Sequence, residues 1–475
     1  MNIPEFREKF LRGIKTRDIS VQRRLALLCD VKGGATVLLQ CCQYDFIPLI
    51  EWCFDHGVDV NRHRDDDGSP LNFAIQQGHT KVVKVLLDKK ADINKCDKYG
   101  GYPLFRACQN DNKEIVKILL DNKADINECR NSVTTPLTVA CQNNHIQTVR
   151  LLLDYKADIN KCDDNGASAL YMACQNNHLE IVKLLLDNKA EVNKCANDLY
   201  PLHTACQDNL TELVQILLTN KADINQRNRK GASPLHIACN NDHKDIVEIL
   251  LAGKADINQS NNKGTTPLVI ACWDNLKDIV ILLLNNKADI NKSDHTGSSP
   301  LHFACYFNHI EIVKVLLDKK ADINKCEKHG SSPLYIACQN NHIELVKILI
   351  DNKADINKCI VDGASPLFTS CRLNHKEIVE VLLDNKADIN KCTGDGTSPL
   401  FIACQQNHIE IVKVLLNYKA DIDNCRDNGK SSLFIACREN HKDIVQILLD
   451  NGSDINHCTH LKASPCFVAF MRNHV

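Results

Sequence analysis

The chain has 475 residues, and its 57 lysines and arginines nearly balance its 59 acidic residues, for a net charge of −2. This balance creates no long-range field that would recruit nucleic acid or a membrane surface. The sequence has no apolar run of the roughly eighteen residues that a membrane span needs, and its charged N-terminus lacks the apolar core of a secretory signal. We therefore expect a cytoplasmic or nuclear protein that binds neither nucleic acid nor membrane.

The first 33 residues do not share the pattern of the remaining chain. Residues 5–14 and 21–29 have helical spacing of apolar side chains, which predicts a short N-terminal helical lead-in over 1–33. Residues 34–66 then form a degenerate first repeat, in which Pro48, Trp52 and Phe54 replace the usual second-helix residues. An atypical terminal repeat is expected because one of its faces has no neighbour.

A single segment, well represented by residues 332–357, recurs along most of the chain. Its Ala-Asp-Ile-Asn tail returns every thirty-three residues, apart from one step of thirty-two between Ala190 and Ala222. A fixed period of this size indicates a repeat array in which each unit packs on its neighbours. The tails begin at Ala91, Ala124, Ala157, Ala190, Ala222, Ala255, Ala288, Ala321, Ala354, Ala387 and Ala420.

Each copy of the segment predicts two short helices. Ser332 is a good N-cap, and Pro333 suits a first helical position. Asn341 and His342 separate this helix from a second one, because asparagine tolerates the left-handed conformation. Both helices are too short to be stable alone, so stacking must bury their apolar faces. Those faces comprise Leu334, Ala337 and Cys338 in the first helix and Leu345, Val346, Leu349 and Ile350 in the second.

The recurring Ser-Pro-Leu-x-x-Ala-Cys, His-x-Glu-Ile-Val and Ala-Asp-Ile-Asn segments resemble the ankyrin repeat, whose hallmark is Thr-Pro-Leu-His-x-Ala. Residues 235–238 and 301–304 match that hallmark best. The resemblance implies an all-α solenoid of stacked helix-turn-helix units with finger turns, and a role in binding proteins. The array would cover 34–475, with regular repeats over 67–457 and a partial last repeat over 458–475, about thirteen units plus a half unit.

Most of the 25 cysteines fall into two columns of the repeat. We expect reduced, buried thiols, because free cysteine behaves as a small hydrophobe; disulfides in a secreted form are the alternative. The first column, in the first helix, contains Cys42, Cys108, Cys141, Cys174, Cys206, Cys239, Cys272, Cys305, Cys338, Cys371, Cys404 and Cys437. The second, after the tail asparagine, contains Cys96, Cys129, Cys162, Cys195, Cys326, Cys359, Cys392, Cys425 and Cys458.

In eight repeats a histidine follows the first-column cysteine by four residues, as His342 follows Cys338. This spacing could mean a metal pair or a Cys–His dyad. An active site is normally unique, however, and this pair recurs, so we expect a packing and capping role. No catalytic motif accompanies it, and we expect no catalytic, cofactor-binding or metal-binding residues.

A lysine occupies the end of the second helix, where the ankyrin pattern usually has glycine. A left-handed lysine costs about 1 kcal/mol relative to glycine, and a cation at a helix C-terminus recovers about 0.3–1 kcal/mol. We therefore expect little net effect. The lysines are Lys90, Lys123, Lys156, Lys189, Lys221, Lys254, Lys287, Lys320, Lys353, Lys386 and Lys419.

Departures from the repeat mark the candidate binding residues. The two positions after the first-column cysteine should face the concave side, and most hold bland polar pairs such as Gln109-Asn110, whereas Trp273, Tyr306 and Phe307 occupy them in adjacent repeats. Tryptophan, tyrosine and arginine are enriched in binding hot spots, so these aromatics are candidates. Further departures at these positions are Arg372, Leu373 and Arg438.

The same region carries a basic finger, 227–230, that contains Arg227, Arg229 and Lys230. Nearby, three repeats lack the second-column cysteine, and the one-residue deletion removes the turn glycine near Asp198. Together these departures predict a partner site across residues 227–307. The alternative is ordinary sequence drift, with the aromatics partly buried between repeats.

The function predicted from these features is a non-catalytic, monomeric scaffold or adaptor that binds one or more proteins through the concave face. One alternative is a substrate-recruiting subunit of a larger assembly such as a ubiquitin ligase, although the sequence shows no F-box. Another is an array that binds nucleic acid or inositides through basic fingers, which the near-neutral charge disfavours. A third, an enzyme, lacks a supporting motif.

Overall fold

A computed structural model describes residues 37–61, 69–97, 100–129 and 134–472. These residues form 27 helices and no strand, with two isolated bridges, Ala196 with Leu199 and Cys425 with Ser431. The predicted all-α repeat fold of about thirteen units is confirmed. The predicted lead-in over 1–33 lies outside the described residues.

The chain divides into two compact units, one ending at Asn228 and one beginning at Arg229. Odd-numbered helices are the first helix of a repeat, and even-numbered helices are the second. The N-terminal unit contains α1 (Val37–Gln43), α2 (Ile47–Asp55), α3 (Pro70–Gln76), α4 (Thr80–Asp88), α5 (Pro103–Gln109), α6 (Lys113–Asp121), α7 (Pro136–Gln142), α8 (Ile146–Asp154), α9 (Ala169–Gln175), α10 (Leu179–Asp187), α11 (Pro201–Gln207) and α12 (Thr211–Thr219).

The C-terminal unit continues the same alternation. It contains α13 (Pro234–Asn240), α14 (Lys244–Ala252), α15 (Pro267–Trp273), α16 (Lys277–Asn285), α17 (Pro300–Tyr306), α18 (Ile310–Asp318), α19 (Pro333–Gln339), α20 (Ile343–Asp351), α21 (Pro366–Arg372), α22 (Lys376–Asp384), α23 (Pro399–Gln405), α24 (Ile409–Asn417), α25 (Ser432–Glu439), α26 (Lys442–Asp450) and α27 (Pro465–Met471).

Stacking buries the apolar faces of these short helices. Within the C-terminal unit α15, α17 and α19 pack in sequence, and α16, α18 and α20 form a second row behind them. The predicted core residues of the repeat from Ser332, among them Leu334, Cys338 and Leu349, are fully buried, while Ile350 is half-buried. Helices of seven to nine residues are marginal alone, so contacts between repeats supply their stability.

The repeat that begins at Ser332 has the predicted N-cap and the predicted left-handed residues after each helix. The Ser332 side chain accepts a hydrogen bond from the Tyr335 N–H group at 3.2 Å, and Pro333 is the first helical residue. Asn341 between the helices is left-handed, with φ +61°. Lys353 after the second helix is left-handed as well, and all eleven lysines of this position have φ between +64° and +69°.

The Ala-Asp-Ile-Asn tail is a hydrogen-bonded link between repeats. The Asn357 Oδ1 atom accepts from the Asp388 N–H group of the next tail at 2.9 Å. The Asp388 carboxylate in turn accepts from the Asn390 N–H group at 3.1 Å, which closes the local turn. The same pair of bonds occurs in other tails of both units, for example around Asn127 and Asp158. The tail recurs because both side chains satisfy backbone donors.

The one-residue deletion is accommodated by a two-residue hairpin. Asn197 and Asp198 both have positive φ, +46° and +64°. Ala196 and Leu199 exchange both backbone hydrogen bonds at 2.8 Å. Asparagine and aspartate suit such turns because they tolerate the left-handed region. The finger therefore closes without its turn glycine.

None of the helices in the part of the chain that the structure describes is long and apolar enough to cross a membrane.

Candidate functional site

Two first helices, α21 and α23, and three finger turns of the C-terminal unit line a groove of about 530 Å³. Among its lining residues are Asp362, Asp395 and Arg426 from the fingers and Phe368, Arg372 and Ile402 from the first helices. Arg372 occupies the position directly after the column cysteine. Trp273 and Tyr306 occupy the same position in earlier repeats of this unit, so they lie on the same face.

Four aromatic side chains of two adjacent repeats pack together on this face, and we call Trp273, Phe303, Tyr306 and Phe307 the aromatic cluster. The Trp273 ring lies 5.1 Å from the rings of both Phe303 and Phe307, centroid to centroid. Tyr306 meets Phe307 edge-on at 4.9 Å. Phe303 is half-buried, whereas Trp273, Tyr306 and Phe307 remain 49%, 55% and 37% exposed.

Histidines between the two helices of a repeat, His309 and His342, bond to the backbone beneath the cluster. The His309 Nδ1 atom lies 2.9 Å from the carbonyl oxygen of Cys272, and its ring stacks on Phe307 at 5.8 Å. The His342 Nε2 atom lies 3.2 Å from the carbonyl oxygen of Tyr306. These bonds satisfy carbonyls at the ends of α15 and α17, where helices leave acceptors unpaired.

Asp274 is the acidic residue nearest to the cluster along the chain, directly after Trp273. Partial burial raises the pKa of its carboxyl group, and the nearby His309 opposes that shift. The side chain remains exposed. It therefore contributes an acidic group at the edge of the cluster.

Finger turns of the C-terminal unit form a continuous stack beside this face. The Asn262 N–H group donates to the Lys230 carbonyl oxygen, His295 N–H to Lys263, and Lys328 N–H to Thr296, each at 3.0 Å. Each tip is thereby bonded to the preceding one. We call the exposed basic and histidine side chains of these tips the fingertip row: Arg229, Lys230, Lys263, His295, Lys328 and His329.

The structure brings together only part of the predicted set of candidate residues. Trp273, Tyr306 and Phe307 form one cluster, and Arg229 and Lys230 begin the fingertip row. Arg372 lines the groove farther along, and the adjacent Leu373 is exposed.

Two predicted arginines are placed differently. Arg438 is half-buried and pairs with its neighbour Glu439 at 2.6 Å. Arg227 is exposed and belongs to the N-terminal unit, so it is not joined to this set.

Several contributors to the cluster and the fingertip row were not predicted from the sequence. Phe303 lies inside α17, at a position that holds isoleucine in several repeats, and it supports Trp273. Lys263 and Lys328 each supply one fingertip charge. The finger positions, compared across repeats in the same way as the helix positions, reveal both lysines.

The cysteine–histidine spacing serves packing. Burial raises the pKa of Cys338 to about 12, which disfavours the thiolate that a nucleophile requires. His342, four residues later, bonds to the Tyr306 carbonyl group. Among the described residues, no group of three or more histidine, cysteine or acidic side chains is arranged to hold a metal ion.

The two cysteine columns differ in burial. First-column thiols are buried, apart from the half-buried Cys437, and the cysteines of the described residues are free thiols. The expectation of burial is wrong for the second column, where Cys96 and Cys458 are exposed and the others are partly exposed. The second-column position follows the tail turn, where a thiol such as Cys392 bonds to the Asn390 carbonyl oxygen at 3.2 Å.

The stacked helix pairs, the left-handed residues between helices and the finger turns are the features of a known protein family, and a comparison with family models identifies it. A family model described as Ankyrin repeats (3 copies) matches residues 21–97, 38–130, 104–198, 202–294, 235–327, 301–393 and 367–458. The chain belongs to the ankyrin repeat family. Ankyrin repeats are generally protein–protein interaction modules. No curated protein matches the chain.

Proposed function

We propose that this ankyrin repeat protein is a non-catalytic scaffold or adaptor that binds partner proteins through the face lined by its first helices and finger turns. The observation that carries the proposal is the exposed aromatic cluster. Tryptophan and tyrosine are enriched in binding hot spots, and contiguous exposed apolar surface on a protein usually marks an interaction site.

Repeat stacking does not require the cluster. At the position of Trp273 and Tyr306, other repeats of the C-terminal unit carry Gln339 and Gln405, and their helices pack in the same way. Three large aromatic side chains left 37–55% exposed are therefore available to a partner. Drift remains the competing explanation, and it predicts that removing the rings changes no interaction.

Most of the remaining candidates extend or border the proposed surface. Arg372 and Leu373 would extend it along the groove, and Arg229 and Lys230 would border it. Arg438, in a later repeat, is a further proposed contact residue, and Arg227 is proposed as a separate contact residue of the N-terminal unit. We further propose that the chain acts as a monomer in the cytoplasm or nucleus, where its free thiols would stay reduced.

A triple variant tests the proposal. Proximity labelling or pull-down with Trp273→Ala, Tyr306→Ala, Phe307→Ala should lose a discrete set of partners that the wild-type chain retains. Because the rings are half exposed, the melting temperature should fall by no more than about 4 °C. The matched control, Gln339→Ala with Gln405→Ala, changes the same helix positions and should keep every partner. An unchanged partner set in the triple variant would refute a site at the cluster.

A further inference from the structure

The fingers beside the aromatic cluster carry an excess of positive charge that the next fingers lack. Residues 229–231, 259–264, 292–297 and 325–330 contain six lysines or arginines and two acidic residues. The following fingers, 358–363, 391–396 and 424–429, contain three basic and three acidic residues. The charge asymmetry therefore coincides with the repeats that contribute the rings.

The two acidic residues in the basic fingers are used within their own turns. The Asp294 carboxylate accepts from the N–H groups of Thr296 and Ser298, at 2.9 and 3.0 Å. The Glu327 carboxylate accepts from the N–H groups of His329 and Ser331, at 3.0 and 3.1 Å. Both carboxylates are held within their own turns, and in the part of the chain that the structure describes neither forms an ion pair with Lys263 or Lys328.

The basic side chains divide into an internal and an exposed group. Lys292 donates to the Asn258 carbonyl oxygen at 2.7 Å and is half-buried. Lys263 and Lys328 are exposed at the tips, and within the described residues no carboxylate forms an ion pair with either. With Arg229 and Lys230 they give the fingertip row its charge.

We propose that the occupant of this face is an acidic segment of another protein, whose carboxylates meet the fingertip row while an apolar side chain packs on the aromatic cluster. This inference rests on the proposed function and specifies its partner. Complementary charge steers association and fixes register, and the apolar anchor supplies the desolvated centre of the interface. Asp274 at the edge of the cluster would repel a misplaced carboxylate, which favours a segment with its charge toward the fingers.

Single-stranded nucleic acid is the competing occupant, since it also uses basic side chains and rings. Successive bases need separate, open ring faces. In the cluster the rings pack on one another, with Trp273 against Phe303 and Phe307 and the edge of Tyr306 against Phe307. This arrangement presents one compact apolar surface, which suits a protein side chain better.

A peptide selection tests the partner chemistry. A displayed library of random peptides of about 16 residues is selected on the full chain at low salt. The enriched peptides should carry more Asp and Glu than Lys and Arg, together with at least one large apolar residue. Their binding should weaken when the salt is raised from about 0.05 M to 0.3 M, because the tip charges are exposed.

Two double variants separate the contribution of the tip lysines from that of lysines in the neighbouring fingers. Lys263→Gln with Lys328→Gln should weaken an enriched peptide at least about fivefold. Lys358→Gln with Lys391→Gln removes the same charge from the neighbouring fingers and should change the affinity less than about twofold. Far-UV circular dichroism and melting curves confirm that both variants fold.

Each outcome has a distinct meaning. The inference would be overturned if the enriched peptides show no acidic bias, or if the Lys263→Gln, Lys328→Gln variant binds them with unchanged affinity. The proposed function would still stand in that case if the Trp273→Ala, Tyr306→Ala, Phe307→Ala variant fails to bind those peptides. Peptides that bind this triple variant like the wild type would overturn both. Tighter binding of an oligouridine probe than of any peptide, lost with the tip lysines, would assign the face to nucleic acid instead.

Discussion

The imidazole of His302 bridges to the next repeat: its Nε2–H group donates to the carbonyl oxygen of Ser331 at 3.1 Å. Its Nδ1 atom accepts from the Ser299 N–H group at 3.1 Å and contacts the Ser299 hydroxyl at 2.7 Å. An acceptor Nδ1 and a donor Nε2 define the neutral ring. The buried ring thus links the start of α17 to the following finger turn.

Acid should weaken this link. Burial lowers the pKa of His302 from the ordinary value of 6.5, so the folded chain binds this proton less tightly than the unfolded chain. The stability that depends on the neutral ring is therefore complete above 6.5 and is lost as the pH falls through the lowered pKa. Urea midpoints measured from about pH 7.5 down to pH 5 should fall more steeply for the wild type than for His302→Gln.

The exposed Gln339, which carries no titratable group, supplies the control for that comparison. Gln339→Ala should leave the pH dependence of the urea midpoint as it is in the wild type. Equal slopes for His302→Gln and the wild type would contradict a neutral, buried role for His302.

The tail link at Asn357 gives a second prediction. Asn357→Ala leaves the Asp388 N–H group without its acceptor and should lower the free energy of unfolding by about 0.5–1.5 kcal/mol. Asn357→Asp should cost less, because Asp423 already performs this role and accepts from the Asp454 N–H group at 3.1 Å. Denaturant midpoints of the two variants give the comparison. An aspartate variant less stable than the alanine variant would refute this account of the tail.

The left-handed lysines give a third prediction. Lys353 has φ +68°, so Lys353→Gly relieves strain, but it also loosens the unfolded chain and removes a cation from a helix end. We expect a change of less than about 1 kcal/mol. Lys353→Val places a β-branched side chain in the left-handed region and should destabilise by more than about 1 kcal/mol. Thermal melts of both variants would show whether valine is the worse replacement.

Thiol reactivity gives a fourth prediction. Burial raises the pKa of Cys338 from 9.0 to about 12, so its thiolate fraction at pH 8 falls on the order of 10³-fold. Cys458 is exposed. Alkylation of the native chain with iodoacetamide, mapped by mass spectrometry, should label Cys458 quickly and Cys338 only after unfolding. Fast labelling of native Cys338 would mean that the repeat opens readily.

The fold was predictable because the same sequence segment recurs at a nearly constant spacing of thirty-three residues. Ser332, Pro333 and Asn341 each have a local role that any single repeat reveals, and stacking places the apolar face. Burial of the second cysteine column was misjudged, because position after a turn does not by itself tell which side of the turn faces solvent.

The candidate site was predictable only in part. The exposure of Trp273 and Tyr306 follows from their place in the repeat. The support from Phe303 requires packing between side chains about one repeat apart, and the pairing of Arg438 with Glu439 requires side-chain conformations. A short sequence pattern specifies neither of these two side-chain contacts, so only the structure reveals them.

The stacked fingertips affect the thermodynamics of any association on this face. Because the backbone bonds between tips, such as that from His295 to Lys263, already order the turns, a partner need not immobilise loose loops as it arrives. Immobilising surface segments on association ordinarily costs conformational entropy. If a short, flexible ligand binds to fingers that are preorganised in this way, nearly all the conformational entropy lost on binding is that of the ligand.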